Sequence, residues 1–189
     1  NIPVCGASRA SIMSGMRGTP SRFVNWFIRL EEDAPEAVSL PASFSENGYT
    51  CISLGKTFHH PDDCQEDWSE VPWRPDDFGE KDWEGKGYLQ QANKDFIREH
   101  GGLNASYYEV AGEQDGRYPD EVTAEKAIEQ LRRLSQEEEP FFLAVGFFKP
   151  HLPFNAPAEY WDMYEATEEL LADNPFRPED APDEAFYSL

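Results

Sequence analysis

The 189-residue chain has few cysteines, few basic residues and no long apolar run. Its three cysteines are too few for a disulfide scaffold, and although Cys51 and Cys64 could pair in an oxidising compartment, the favoured interpretation places Cys51 in the core. Cys51, Cys64, His59 and His60 could together suggest a zinc site, but their spacing along the chain fits no standard structural zinc pattern. With 16 basic against 37 acidic residues, the net charge of −21 argues against nucleic acid and anionic membranes as partners. No stretch is long or apolar enough to span a membrane.

The chain begins with Asn1 rather than Met and has no signal peptide, which predicts a chain cut from something longer. The missing signal therefore carries no information about the compartment. Aromatic residues make up 14% of the sequence, which is typical of a globular protein, and the length is enough for one domain with a core. The acidity is interpreted mainly as a solvated surface, so an anionic substrate would need a local basic pocket.

The segment from Cys5 to Gly15 carries the first chemical signal. Residues 8–14 are predicted to be helical, with Gly15 as the stop. Arg9 follows Cys5 by four residues, so the two side chains can share one helix face. An anion at the start of this helix would meet a reactive side chain, an arginine and the positive end of the helix dipole. The alternative interpretation of Cys5 is a small buried apolar residue.

The first third of the chain is predicted to be α/β. Residues 40–48 favour a short helix that Gly48 ends. Residues 49–54 favour a strand, which stops at Gly55 and Lys56.

A long irregular insertion with short helical pieces is predicted from about residue 60 to residue 118, because no period emerges there. Its tryptophans are Trp68, Trp73 and Trp83. Packing is the favoured role for most of them, and a rim that binds sugar is the alternative. Beyond residue 157, one helix around Trp161 is predicted, followed by an acidic, proline-rich loop.

Regular structure returns at Pro119. Asp120 is predicted to cap a helix whose first turn also carries Glu121. Apolar residues at helical spacing predict its buried face: Val122, Ala124, Ala127, Ile128, Leu131 and Leu134. The continuous apolar run at residues 141–147 then predicts a central strand of a parallel sheet.

Two strand ends carry polar residues that a core does not require. Lys56 and His59 follow the first strand, and Lys149 and His151 follow the second. Ligand sites in open α/β sheets lie at the carboxyl ends of strands, so these residues are expected to surround Cys5. Taken one by one, each could instead be an ordinary loop lysine or histidine.

Three ordered stretches resemble the type I sulfatases, and among these the iduronate-2-sulfatase branch: VCGASRASIMSG, ENGYTCISLGKTFHH and EEPFFLAVGFFKPHLPFNAPAEYWDMY. The C-x-A-x-R run in the first is the signature of that family, and similarity extends through YPDEVTAEKAIEQL. The match covers roughly residues 1–60 and 118–189 and is weak in the insertion. The resemblance implies an alkaline-phosphatase-like α/β fold, with a mixed, largely parallel sheet flanked by helices. Residues 1–189 are then part of a single catalytic domain.

The resemblance assigns Cys5 as the residue that is oxidised to formylglycine, as the nucleophile and as a calcium ligand. Arg9 matches the arginine that holds the formylglycine and shields its charge. Ala7 stands where many members have proline, and the alanine form is linked mainly to radical-type bacterial maturation. Conversion of Cys5 is therefore expected to depend on the host.

The resemblance gives the remaining site residues roles around the sulfate. Lys56 matches the lysine that bridges the catalytic diol and the sulfate, and His59 matches the histidine that hydrogen-bonds the diol and helps to collapse the hemiacetal. His151 matches a histidine that contacts the substrate sulfate. Lys149 is assigned to substrate binding beside it, with a less defined role. Fixed cations around a sulfate ester stabilise the charge that builds on its oxygens.

Calcium is implied as a cofactor, but Cys5 is the only family ligand expected within residues 1–189. The others are an Asp-Asp pair before the cysteine and residues far downstream. The pairs Asp62–Asp63 and Asp76–Asp77 come after the nucleophile and are not expected to replace them. The chain alone is therefore expected to be inactive.

The expected activity is hydrolysis of a sulfate ester, on a sugar, with a uronate sulfate as the first guess. A formylglycine-generating maturase is the expected partner, and a periplasmic or secreted location follows from the family resemblance alone. One alternative is a formylglycine-dependent phosphate or phosphonate ester hydrolase. Another is a non-catalytic acidic module that binds calcium or another protein.

Overall fold

The computed structural model describes residues 2–75, 87–100, 106–164 and 173–182. The helices in these ranges are α1 (Cys5–Ser14), α2 (Leu30–Asp33), α3 (Leu40–Glu46), α4 (Gln91–His100), α5 (Pro119–Leu134) and α6 (Ala158–Trp161). The strands are β1 (Thr50–Gly55), β2 (Val110–Ala111), β3 (Phe141–Gly146) and β4 (Ala156–Pro157). Short 3-10 helices occupy Gln65–Asp67 and Glu113–Asp115. The chain thus has the α/β architecture that the sequence predicts.

The central pair of strands is β1 and β3, which run parallel with Thr50 opposite Phe141 and Gly55 opposite Gly146. Helix α5 connects toward β3 and lies against both strands. The two strands predicted from the sequence are therefore confirmed, with ends that differ by one residue. Within the described residues β3 pairs with β1 alone, so its predicted central position is not seen there. The short strands β2 and β4 form a second parallel pair.

Two glycines close the β1–β3 pair at its carboxyl end. Gly55 has a φ of 68°, and a side chain at Gly55 or at Gly146 would collide with main-chain atoms of the paired segment. Because neither residue has a side chain, the N–H of Lys56 still donates to the oxygen of Gly146 at 2.7 Å. The strands therefore remain together up to the point where the candidate site begins.

The core lies on both sides of β1. Cys51 is fully buried among α1 and α3 side chains on one side, as the favoured interpretation predicts. Ile52 and Leu54 pack on the other side with residues of α5. Cys51 and Cys64 are both free thiols, and Cys64 donates from its sulfur to the Glu31 carboxylate at 3.5 Å.

The N-terminal helices follow the sequence with small shifts. Helix α1 already begins at Cys5, rather than at Ser8, and ends at Gly15, whose φ is 68°. Ser39 caps α3 by accepting from the N–H of Ala42 at 3.1 Å. This helix ends at Glu46, two residues before the glycine that was expected to end it.

The predicted cap and the predicted apolar face of α5 are partly wrong. The helix begins at Pro119, and the Glu121 carboxylate accepts from the N–H of Tyr118 at 2.8 Å, so Tyr118 rather than Asp120 occupies the cap position. Its most buried residues are Pro119, Thr123, Ala127, Gln130 and Leu134. Ile128 and Leu131 are 48% and 46% exposed, because they lie to the side of the helix face that meets the strands.

The described residues of the insertion are mostly irregular, as predicted, and they include the ten-residue helix α4. Trp68 is buried and stacks on Phe142 with ring centroids 6.0 Å apart, and Trp73 packs beside the core under α5. The packing role is therefore confirmed for these two, while Trp83 lies outside the described residues. Helix α6 confirms the helix predicted around Trp161. In the part of the chain that the structure describes, no helix has the length and apolar character needed to cross a membrane.

Candidate active site

Cys5 is the first residue of α1 and is half-buried. The residue before it, Val4, is extended, so the cysteine lies where unpaired main-chain N–H groups give a helix its positive end. The next residue, Gly6, is buried, and a side chain there would collide with the main chain of Trp26. This close approach brings the segment around Trp26 next to the start of the helix.

Arg9 lies one helical turn after Cys5 and connects α1 to the end of β1. Its Nη1 atom donates to the main-chain oxygen of Thr57 at 2.9 Å and also to that of Lys56. Burial lowers the pKa of Arg9, and the side chain of Cys5 partly opposes this shift. The arginine nevertheless remains charged at neutral pH.

Lys56 directly follows β1 and is only 6% exposed. Its pKa is lowered to about 8, chiefly by burial; Cys5 acts against this shift, and Arg9 and Arg74 contribute to it. The Nζ atom lies 4.4 Å from the centroid of the Phe148 ring. A buried ammonium group beside two arginines is stabilised when an anion binds to it.

His59 lies in the same turn, and its Nδ1 atom is buried with no hydrogen-bond partner in the described structure. Its ring contacts Trp26 and His60, with centroids 5.6 and 4.9 Å away. Burial, followed by the charges of nearby cations with Lys56 first among them, lowers the pKa of His59 to about 4. The imidazole is therefore neutral at pH 7.

Lys149 and His151 lie in the loop that follows β3. Lys149 Nζ donates to the main-chain oxygens of His151, at 3.2 Å, and Pro153, so this ammonium group is bound to its own loop. His151 Nδ1 lies 2.7 Å from the oxygen of Leu152. Burial lowers the pKa of both groups, and for His151 the charges of Lys56, Lys149 and Arg9 add to the effect.

The predicted site residues come together around Lys56. Cys5 and Arg9 are close enough to influence its charge, and Lys56 in turn lowers the pKa of both His59 and His151. The ring of Phe148 connects the two loops, because it lies 4.4 Å from Lys56 Nζ and 5.6 Å from Lys149 Nζ. A basic cluster therefore exists within a strongly acidic chain, while the individual roles remain predictions.

Two neighbours of this cluster were not predicted from the sequence. Arg74 donates to the main-chain oxygens of Phe58, at 3.0 Å, and His59, at 3.3 Å, but it comes from the irregular insertion, where no pattern marks it. Asp120 accepts from the N–H groups of Phe148 and Lys149 at 2.8 and 2.9 Å. An acidic residue in the first turn of a helix was the only available signal for Asp120, and it was interpreted as a cap.

A cavity of about 300 Å³ lies beside the second loop, between the start of α5 and residues 148–157. Its walls include the rings of Tyr118, Phe148 and Tyr160. Asn155 also lines it, is 4% exposed, and has no partner for its Oδ1 atom in the described structure. The cavity is thus mainly apolar, with one unpaired hydrogen-bond acceptor.

The described residues do not fit a calcium ion by themselves, since no three His, Cys, Asp or Glu side chains among them come together as a metal site requires. Asp62 and Asp63 instead bind Arg29, at 2.8 and 3.0 Å. Asp76 and Asp77 lie outside the described residues. Cys5 remains the only predicted ligand in the described ranges, and no chemical step is assigned to a metal.

Comparison with known proteins gives consistent matches. A family model described as Sulfatase matches residues 2–182. Iduronate 2-sulfatase of Mus musculus is 32% identical over 192 residues, which are 97% of this chain and 33% of that protein. The human protein of the same name matches with the same identity and coverage, and a protein named Sulfatase from Formosa agariphila is 30% identical over 96% of this chain and 36% of its own length. The chain thus spans about a third of the length of these relatives.

Proposed function

The chain belongs to the sulfatase family, and we propose that it supplies the nucleophile and the sulfate-binding groups of an enzyme that hydrolyses sulfate esters. The observation that carries this proposal is the position of Cys5, at the start of a helix and beside the half-buried Arg9 and the buried Lys56. In a chain of net charge −21, a local cluster of partly buried basic residues favours the binding of an anion.

Cys5 is the residue proposed to be converted to formylglycine by a maturase. When present, the hydrated aldehyde would supply one hydroxyl to attack sulfur, with the alcohol of the ester as the leaving group, and a second hydroxyl whose deprotonation would release sulfate and restore the aldehyde. The site fits this group because a half-buried side chain at a helix start, one turn from Arg9, meets both a helix dipole and a fixed cation. Arg9 stabilises negative charge at that position.

Lys56 and His151 are proposed to bind the sulfate group. The pKa of Lys56, about 8 in the absence of an anion, leaves the ammonium group mostly protonated at neutral pH, and a bound sulfate raises that pKa again. Charge grows on the equatorial and leaving oxygens of a sulfate ester in the transition state. A cation that is already fixed by burial stabilises this charge without reorganisation.

His59 is proposed to act as the base. With a pKa of about 4 it is neutral at pH 7, and its buried Nδ1 atom has no partner in the described structure that would compete for a proton. A sulfate bound beside Lys56 brings negative charge close to the imidazole, which raises the pKa of His59 toward the range in which a base is effective.

The proposed substrate is a sulfated sugar, and a uronate sulfate is the first one to test. The proposal is supported by the similarity to iduronate 2-sulfatases, which extends over 97% of the chain. The cavity beside Lys149 supports it as well, because proline and aromatic walls suit the apolar face of a ring and the Asn155 oxygen suits a hydroxyl. A periplasmic or secreted location stays a prediction.

The proposal is tested on the complete gene product, produced together with a formylglycine-generating maturase. Mass spectrometry of the peptide that contains Cys5 should show conversion of the thiol to the aldehyde. Turnover of an aryl sulfate should exceed turnover of the matching aryl phosphate. Cys5→Ala should abolish turnover, while Cys64→Ala, the control at a half-buried cysteine whose thiol binds Glu31, should retain it.

The outcomes separate the alternatives. An unmodified Cys5 in an active preparation would contradict the formylglycine mechanism. Preferred turnover of the phosphate ester would favour the phosphohydrolase alternative. A protein with no turnover of either ester, and with unchanged properties after Lys56→Ala, would be a non-catalytic binding module.

A further inference from the structure

A single carboxylate connects helix α5 to the loop that carries Lys149 and His151. The two oxygens of Asp120 accept from consecutive main-chain N–H groups, those of Phe148 at 2.8 Å and Lys149 at 2.9 Å. Hydrogen bonds to an ionised acceptor are about twice as strong as neutral ones, and two bonds to one carboxylate also fix its orientation. The loop is therefore held at the point where it leaves β3.

Helix capping does not account for this arrangement. The start of α5 is completed by Glu121, whose carboxylate accepts from the N–H of Tyr118 at 2.8 Å. Thr123 binds back to the oxygen of Pro119 at 2.9 Å. Asp120 points instead to a segment 28 residues further along the chain.

The two N–H groups held by Asp120 belong to residues in the middle of the basic cluster. The ring of Phe148 lies 4.4 Å from Lys56 Nζ and 5.2 Å from the centroid of the His151 ring. Lys149 Nζ in turn donates to the oxygens of His151 and Pro153. A shift of the main chain at Phe148 would therefore move the groups on which the proposed sulfate binding depends.

We propose that Asp120 is a positioning residue of the candidate active site, which does not contact the sulfate but fixes the Phe148–Lys149 main chain and, through it, the places of Lys149 and His151 relative to Lys56. This inference rests on the proposed function, because the groups that Asp120 fixes are those assigned to sulfate. The first turn of α5 favours the negative charge of Asp120 through the helix dipole.

The test compares Asp120→Asn with Glu125→Gln in the complete gene product. Asparagine keeps one acceptor oxygen and places an N–H group opposite a main-chain N–H, so one donor loses its partner. Because a displacement of about 1 Å in an active site can reduce rates about a hundredfold, we expect kcat/KM to fall between about tenfold and a hundredfold. The loss should already appear with an aryl sulfate, because the groups that Asp120 fixes are those proposed to bind the sulfate. With a sulfated sugar it should be at least as large, since Asp120 also lines the cavity proposed for the sugar.

Glu125→Gln is the control, because Glu125 is also a carboxylate of α5 but is exposed and pairs with Arg117 rather than with the Phe148–Lys149 main chain. It should leave kcat/KM unchanged. Equal losses of kcat/KM in both variants would mean that the effect comes from the loss of a negative charge on α5, and would overturn the proposal.

Binding of inorganic sulfate, measured by calorimetry, separates this proposal from the proposed function. Asp120→Asn should weaken sulfate binding by a factor similar to its loss of kcat/KM. If the wild-type protein binds sulfate but hydrolyses no ester, the proposed function fails while the positioning role is still tested by affinity. If Asp120→Asn does not fold, Asp120→Glu replaces it; this variant keeps both carboxylate oxygens on a side chain longer by one methylene, and its loss of sulfate affinity should be smaller. The proposal would be overturned if the folded variant, Asp120→Asn or its replacement Asp120→Glu, bound sulfate as tightly as the wild type.

Discussion

Arg9 donates from its guanidinium group to the main-chain oxygen of Lys56, and so fixes helix α1 to the turn that follows strand β1. The same Nη1 atom reaches the oxygen of Thr57 at 2.9 Å. Cys5 lies one turn away on α1, and the Lys56 ammonium group starts from the bound segment. The distance between the proposed nucleophile and the proposed sulfate-binding lysine is therefore controlled by an arginine that binds main-chain atoms.

Arg9→Lys should damage both activity and stability. Lysine keeps the positive charge but cannot reproduce the planar geometry of the guanidinium group at two neighbouring carbonyl oxygens. We expect kcat/KM on an aryl sulfate to fall about tenfold to a hundredfold, since the catalytic groups shift. The free energy of unfolding should fall by about 1–3 kcal/mol, because a half-buried acceptor loses its donor. Steady-state kinetics and urea unfolding measure the two effects.

Arg17→Lys is the control, because Arg17 is exposed and lies just beyond the end of α1. It should change neither quantity. Wild-type kcat/KM in Arg9→Lys would show that the charge of Arg9 matters and that its contacts to Lys56 and Thr57 do not.

The alkaline side of the pH–rate profile should depend on Lys56. Its pKa is lowered to about 8 by burial, so the free enzyme loses this positive charge as the pH rises through 8, and kcat/KM should fall there. Lys56→Arg keeps its charge at all these pH values, so its kcat/KM, although reduced, should not fall near pH 8. Lys56→Ala should lower turnover about a hundred- to a thousandfold, as loss of one preorganised donor does.

The control is Lys126→Arg in the middle of α5, where the lysine pairs with Glu129 at 2.8 Å. It should leave the profile unchanged. A fall near pH 8 that persists in Lys56→Arg would assign the titration to a different group.

Much of the site could be predicted because strand ends are visible in the sequence. The apolar runs of β1 and β3 placed Lys56 and His151 at one edge of a parallel pair, and the pairing of Gly55 with Gly146 confirms that these ends meet. Local pattern could not reveal the contact of Asp120 with Phe148, since the two residues are 28 positions apart and the same acidic residue also suits a helix cap.

Neither the exposed face of α5 nor the contribution of Arg74 could be predicted from the sequence, for related reasons. Helical spacing marks several apolar residues, but which of them is buried depends on how α5 lies against β1, and Thr123 is buried while Ile128 is exposed. Arg74 follows no period, because its segment is fixed by main-chain contacts such as the bridge between Trp73 and Leu54. Tertiary contacts of this kind outweigh local preference.

His59 and His60 offer the sharpest comparison in this chain, since the residues are adjacent and their ring centroids lie 4.9 Å apart. His60 Nε2 lies 3.2 Å from the oxygen of Phe27, and the main-chain N–H of His60 donates to the Asp63 carboxylate, whereas His59 Nδ1 has no partner in the described structure. His59→Ala should therefore lower kcat about a hundredfold or more, as loss of a general base does. His60→Ala should cost little, and equal losses would contradict the assignment.

Stability should also depend on pH through His59. Burial and nearby cations lower its pKa from 6.5 to about 4, so between these values the unfolded chain binds a proton that the folded protein excludes. The stabilisation from a neutral His59 is fully present above pH 6.5 and is lost as the pH falls to 4. Urea unfolding of the wild type and of His59→Ala, measured across this range, should therefore show a steeper loss of unfolding free energy in the wild type. Parallel curves would mean that the imidazole is not held neutral, and the case for His59 as the base would then rest on kinetics alone.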